Sequence, residues 1–249
     1  MDATSDNIAR AATELRRAAH AFALTGAGIS VESGIPDFRS EDGLWSKYPP
    51  EEFATIDAFR ANPDKVWRMW RALGESLLEA APNPAHFALA RLEAAGRIRA
   101  VVTQNIDNLH QRAGSARVIE YHGNGGRTCC LACHRRAPLQ AAALGDAAPR
   151  CGCGGLLKPD VVLFGEIIPT HALFEAEAFA QKADVVLIVG TSAQVYPAAG
   201  LPYTAKKRGA FIVECNIEPT DFTREITDVF LQGPAGTVLP QLADAATAG

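Results

Sequence analysis

Apolar and polar positions follow two different periods along this chain. Between residues 7 and 19, Ile8, Ala11, Ala12, Leu15 and Ala19 recur at helical spacing, with Arg10, Glu14, Arg16 and Arg17 around them, which predicts an amphipathic first helix. The runs Ala21 to Thr25, Ile98 to Thr103, Val118 to Tyr121, Asp184 to Gly190, Ala210 to Cys215 and Val229 to Leu231 are instead short, apolar and β-rich, separated by helical or loop segments. Strands that read as continuous apolar runs are covered on both faces. The pattern therefore predicts an α/β fold, a Rossmann-like doubly wound parallel sheet with helices on both sides. In open sheets of this class ligands bind beyond the carboxyl ends of the strands, where Gly26, Gln104, His122, Gly190 and Asn216 all fall. Two stretches interrupt the alternation, about 34 to 84 and about 124 to 157. The alanine-rich tail from Leu242 to Gly249 predicts a frayed helix end.

Composition narrows the picture modestly. The length of 249 residues fits one large body or a large and a small one, and 48% hydrophobic residues supply an ample core. A formal charge of −4 gives no case for a direct nucleic-acid partner. Residues Met1 to Asp6 contain no basic stretch leading into an apolar run, and no apolar run reaches the length of a bilayer span, so the expectation is a soluble cytoplasmic protein without a signal peptide or membrane partner.

Three groups of residues carry candidate chemistry. The run Ala21 to Thr25 enters Gly26-Ala27-Gly28-Ile29-Ser30, a strand followed by a turn where glycine lets the backbone approach a phosphate. The third glycine of the hydride-transfer fingerprint is replaced by Val31, and the chain continues through Glu32 to Pro50 as a long loop. Cys130-x2-Cys133 and Cys151-x-Cys153 read as a tetrahedral zinc site of four thiolates, with no open position for catalysis. The short second gap leaves Cys129 and His134 as alternative ligands, while Cys215 reads as a small core residue. His122, between a strand end and a glycine, suits a general base near neutral pH. His110 reads as structural, and His20, His86, His134 and His171 have no supporting motif. Gln104, Asn105 and Asp107 follow a strand, as ordinary turn residues also do.

Taken in order, Gly26 to Arg39, Thr103 to Gly114, His122-Gly123, the paired cysteines, Lys158 to Glu166, Gly190-Thr191-Ser192 and Asn216 resemble the sirtuins, NAD-dependent protein-lysine deacylases, over nearly the whole chain. The resemblance implies one catalytic unit of two bodies: a large one of residues 1–33, 85–123 and 158–249, and a small one from the insertions 34–84 and 124–157. It implies NAD as a consumed cosubstrate held by Gly26, Ala27, Gly28, Ser30, Asp37, Phe38, Arg39, Gln104, Asn105, Ile106, Asp107, Gly190, Thr191, Ser192, Asn216, Ile217, Glu218 and Ala235. His122 becomes the base, Asn105 and Asp107 hold ribose and nicotinamide groups, and Phe38 covers the reactive carbon.

An acyl-lysine peptide is the implied partner, adding as a strand between Val162, Phe164, Gly165 and Glu166 on one side and Val195 on the other. A monomer is expected. Sirtuins that prefer succinyl or malonyl groups carry a Tyr-x-x-Arg pair. The matching positions here are Trp70 and Leu73, which favours acetyl and longer uncharged chains unless Arg68 or Arg71 reaches the pocket. Three rival readings remain: a nicotinamide-dependent oxidoreductase, a non-catalytic zinc-and-nucleotide binding module, and transfer of ADP-ribose to protein.

Overall fold

The structure, a computed structural model, describes residues 3–37, 43–139 and 147–248, apart from the side chains of residues 3, 4, 75 and 78. Helix α1 (Ala3–Arg17) leads into strand β1 (Ala21–Thr25) and a 3-10 helix (Ala27–Ser33). Helices α2 (Leu44–Lys47), α3 (Pro50–Phe53), α4 (Ile56–Ala61), α5 (Pro63–Glu79) and α6 (Pro84–Ala94) follow, then β2 (Val101–Thr103), α7 (Leu109–Arg112) and β3 (Val118–Glu120). The remainder runs β4 (Gly123–Cys130), β5 (Arg136–Pro138), β6 (Leu157–Val161), α8 (Thr170–Lys182), β7 (Val185–Val189), α9 (Gly200–Lys207), β8 (Phe211–Asn216), α10 (Asp221–Glu225), β9 (Val229–Gln232) and α11 (Ala235–Thr247). Helices α4, α5 and α6 begin where their sequences dictate. The side chains of Thr55, Asn62 and Asn83 accept first-turn N–H groups, and Pro63 and Pro84 occupy positions with no N–H to satisfy.

Six strands form one parallel sheet in the order β3-β2-β1-β7-β8-β9. This is the predicted doubly wound arrangement, with the order reversing between β1 and β7. Both central strands are buried along their whole length, and their side chains alternate between two cores. Ala21, Ala23, Val185, Leu187 and Val189 pack with residues of α1, α6 and α11, including Leu15, Leu89 and Leu239. Phe22, Leu24, Val186 and Ile188 pack with residues of α8, α9 and α10, including Ala176, Leu201 and Phe222. A third core, with Phe59, Val66, Trp67 and Met69, joins helices α2, α4 and α5 to the antiparallel sheet β5-β4-β6. It flanks the carboxyl edge of the large sheet.

Several expectations are corrected. Helix α1 stops at Arg17, because the Asp184 carboxylate takes the N–H groups of Ala19 and His20 at 2.7 and 3.0 Å, and Ala19 is exposed. The tail is no frayed end: α11 continues to Thr247, with Leu242, Ala243 and Ala246 fully buried and Arg91 bridging to Asp244. Strand β6 ends at Val161 and pairs with β4 in the small antiparallel sheet.

Candidate active site

The glycine turn is forced first by the chain itself. Gly26 N–H donates to the Val189 carbonyl at 3.0 Å and Gly28 N–H to the Gly190 carbonyl at 2.8 Å, so the turn after β1 lies against the turn after β7. A Cβ on Gly26 or Gly28 would come within 2.8 Å of Gly190 or Thr191 atoms. Gly190, at φ +59°, would drive a Cβ into the backbone of Gly28 and Ile29. Two strand ends thus meet at the switch point with bare backbone on the facing sides. Val31, at the position of the missing glycine, is half exposed.

Above this junction opens a cavity of about 880 Å³, within the size of small-molecule sites. Its wall includes Gly26, Ala27, Gly28, Asp37, Gln104, Asn105, Ile106, His122, Gly190, Thr191, Ser192, Asn216, Ile217, Glu218 and Ala235, and on the other side Trp70, Val162, Phe164, Gly165, Glu166 and Val195. Ser30, Asp107 and Leu73 are not in the wall. Ser30 and Asp107 lie one layer behind it: the Ser30 hydroxyl donates to Asp107 Oδ2 at 2.7 Å, and Leu109 N–H to Oδ1 at 2.9 Å. Asn105 Nδ2 donates to the Gly26 carbonyl at 3.0 Å and to the Ser30 hydroxyl at 3.1 Å, which ties the loop after β2 to the glycine turn. Leu73 is buried in the third core. Phe38 and Arg39 lie outside the described residues.

His122 sits where β3 gives way to β4, its ring nitrogen Nδ1 at 3.1 Å from the Gln104 carbonyl. A carbonyl only accepts, so Nδ1 carries the proton and Nε2 keeps its lone pair. Burial pushes the His122 pKa below the ordinary histidine value, opposed in part by that hydrogen bond. The ring is therefore neutral near pH 7, the state of a base ready to accept a proton. Gln104 Nε2 donates to the Thr191 hydroxyl at 3.0 Å, and Asn216 Nδ2 to the Thr191 carbonyl at 3.1 Å, fixing the loops after β2, β7 and β8 against one another. Cys215, also in the wall, has its thiol pushed up to about 12 by burial, and it is a neutral core group at neutral pH.

The segment after β6 is set by a buried lysine. Lys158 Nζ, 5% exposed, donates to the carbonyls of Pro159 and Val161 and, at 2.9 Å, to Glu166 Oε2. The same carboxylate oxygen accepts Leu163 N–H at 2.9 Å. Phe164 bridges to the helical insertion through Ala54 and Ile56. Sequence reasoning missed Glu32, whose carboxylate accepts Gly236 N–H at 2.6 Å and lines the cavity, as do Trp45 and Gln194. Glu32 lies in the loop after the glycine turn, and its partner lies 204 residues away.

The four cysteines converge. Their sulfurs lie within 4.8 Å of one another, with Cys130–Cys153 at 3.6 Å and Cys133–Cys151 at 3.8 Å. Four thiolates about 2.3 Å from one zinc require edges of about 3.8 Å, so these residues fit a tetrahedral ion. A Cβ on Gly155 would come within 2.7 Å of Cys130 Sγ, which explains the glycine beside the second pair. Cys129 and His134 are outside the cluster. Cys129 alternates with Cys130 along β4 and its thiol faces the His134 carbonyl instead.

A doubly wound sheet with a polar crevice at its switch point, a neutral histidine in that crevice and a thiolate metal module beside it defines a nucleotide-binding α/β protein with a built catalytic centre. The Sir2 family model matches residues 26–197, and the chain belongs to the Sir2 family. It is 52% identical to the NAD-dependent protein deacylase of Pyrococcus furiosus, over 92% of this chain and 94% of that protein. Among solved structures, a Sir2 homologue mutant in complex with ADP-ribose is similar at TM-score 0.92 and 41% identity, over 99% of this chain and 96% of the other. A Sir2 mutant with a deacetylated p53 peptide and 3′-O-acetyl ADP-ribose matches at TM-score 0.88 and 36% identity, over 96% and 98%.

Proposed function

We propose that this chain is an NAD-dependent protein-lysine deacylase that yields nicotinamide, O-acyl-ADP-ribose and free lysine. The observation that carries the reading is the neutral His122, with Nδ1 tied to Gln104 and Nε2 unprotonated, in the wall of the crevice that the glycine turn and the Gln104–Asp107 loop build. The deacylase name of the Pyrococcus relative and the ADP-ribose and acetyl-ADP-ribose of the solved neighbours support the substrate class. NAD supplies a ribose carbon activated by a good leaving group, nicotinamide.

The chain's own residues then have distinct tasks. Gly26, Ala27, Gly28, Gly190, Thr191 and Ser192 offer backbone and hydroxyls to the phosphates and ribose, and Asn216, Ile217, Glu218 and Ala235 offer the adenosine end. His122 Nε2 takes the proton of a ribose hydroxyl. Asn105, Ser30 and Asp107 act chiefly by holding the glycine turn, as their mutual hydrogen bonds suggest. The peptide adds between the Val162–Glu166 segment, fixed by Lys158, and Val195. The acyl group enters the apolar part of the cavity, between Trp45, Ala54, Trp70, Ile106, Val161 and Leu163.

The same reading takes the first two cores as the large body and the third, with the cysteine module, as the small one, in a monomer acting in a reducing cytoplasm where thiolates stay free to bind zinc. His122→Ala tests the assignment: it should still bind NAD while deacylation falls by about a hundredfold or more. Near-normal turnover would remove His122 from the chemistry. Formation of NADH would favour an oxidoreductase instead.

A further inference from the structure

Strand β8 carries a carboxylate where its pattern calls for an apolar residue. Ile212, Val213 and Cys215 are buried in the two large cores, and between them Glu214 is buried completely. No ion pair among the described residues includes it. Its oxygens are satisfied by three hydroxyls instead: Thr220 donates to Oε1 at 2.5 Å, and Thr223 and Thr227 donate to Oε2 at 2.6 and 2.8 Å. A buried carboxylate without a cation is costly, and it is tolerated only where its hydrogen bonds are complete.

The three threonines belong to one short segment, residues 220–227, which carries α10. Two of them also satisfy backbone groups at the start of that helix. Thr220 Oγ1 accepts Phe222 N–H at 3.1 Å, and Thr223 Oγ1 accepts Thr220 N–H at 2.8 Å. Glu214 therefore clamps both ends of α10 to the end of β8. What the clamp holds is an arch. Residues 217–219 are exposed and run between two fixed points. At one end Asn216 is bonded to the Thr191 carbonyl and to Gly233 N–H, and at the other Thr220 is bonded to Glu214. Asn216, Ile217, Glu218, Pro219 and Thr220 all line the cavity, whereas Glu214, Thr223 and Thr227 do not.

We propose, resting on the deacylase reading above, that Glu214 is a positioning residue for NAD, which acts through the threonine hydroxyls to hold the 217–219 arch against the adenosine end of the cofactor. It takes no part in the chemistry, so its loss is read in NAD affinity and not in turnover at saturation.

The test measures Kd for ADP-ribose by calorimetry, and kcat and KM for NAD on one acetyl-lysine peptide, in the wild type, Glu214→Gln, Thr227→Val and Thr227→Ser. Glutamine keeps the shape of Glu214, but its amide N–H2 faces a hydroxyl that already donates. Glu214→Gln should raise both Kd for ADP-ribose and KM for NAD by about tenfold, with kcat at saturating NAD within about twofold of the wild type. Thr227→Val, of the same shape but without the donor, should raise both by about threefold, and Thr227→Ser, which keeps the donor, should not. Combined with Glu214→Gln, Thr227→Val should add little, as a second change in one network does. A Glu214→Gln whose melting temperature falls while Kd and KM stay unchanged would make Glu214 a structural residue only and overturn the proposal. So would a kcat that falls in step with kcat/KM, or equal behaviour of Thr227→Val and Thr227→Ser. Should Glu214→Gln not fold, the valine and serine variants decide alone. ADP-ribose bound by a protein that deacylates no peptide would remove the deacylase reading, while the Kd comparison would still judge this inference.

Discussion

Two histidines buried beneath the site make its stability depend on pH in a calculable way. His86 and His110 are 0% and 1% exposed, with ring centroids 4.9 Å apart. Burial pulls His110 down to about 3, with the neighbouring His86 adding to the effect, and pulls His86 to about 4 against the attraction of Asp107. In the unfolded chain both imidazoles titrate near about 6.5. Above that pH they are neutral in both states and contribute no pH dependence. Below it the unfolded chain binds protons that the folded chain refuses, so stability falls as pH falls, by about 1.4 kcal/mol per pH unit for each ring, until the folded-state values are reached.

Between pH 7 and 5.5 this amounts to about 1 kcal/mol per ring. Urea unfolding at the two pH values measures the loss. Because loss of zinc at low pH would add to it, His110→Gln provides the control: glutamine keeps an N–H for the Thr25 hydroxyl, which His110 Nε2 contacts at 2.9 Å, but cannot be protonated. The variant should lose about 1 kcal/mol less than the wild type over that interval. Equal losses would refute the reasoning. The consequence reaches the site, since Thr25 donates to the Thr103 hydroxyl at 2.8 Å and that oxygen accepts the Asn105 N–H at 3.0 Å.

Three further outcomes are expected. Cys130→Ser should lower zinc content, measured by mass spectrometry, and melting temperature together, since metal binding is coupled to folding; full occupancy with unchanged melting would contradict the ligand set. Gly190→Ala should destabilise the fold by more than about 1 kcal/mol in chemical denaturation and raise KM for NAD, because its φ is +59° and the new Cβ would meet the Gly28–Ile29 backbone. Acetyl-lysine should exceed succinyl-lysine in kcat/KM by at least about tenfold, or about 1.4 kcal/mol; equal desuccinylation would show that a cation reaches the acyl pocket.

What was legible in the sequence was whatever repeats locally. The continuous apolar runs of β1 and β7 predicted burial on both faces, and the cysteine spacing pointed to the four that cluster, while leaving Cys129 and His134 open as alternatives. What was not legible depends on partners far along the chain. The bond between Ser30 and Asp107 spans 77 residues and ties two loops together one layer behind the wall. Leu73 and Trp70, one turn apart on α5, both pack into the third core, and of the two Trp70 alone also meets the cavity. The alanines of the tail suggested fraying, although small side chains are what let α11 pack closely on α6 and α1. Lys158 and Glu166 fall in one of the blocks that resemble the family, but nothing in their spacing announces the ion pair between them.

The most direct test of the account is the fate of the acyl group. The protein is incubated with NAD and a peptide bearing one isotopically labelled acetyl-lysine, and the products are weighed. The account predicts one nicotinamide released per lysine freed, with the label on ADP-ribose and no reaction when NAD is omitted. Labelled acetate released with NAD intact would contradict it.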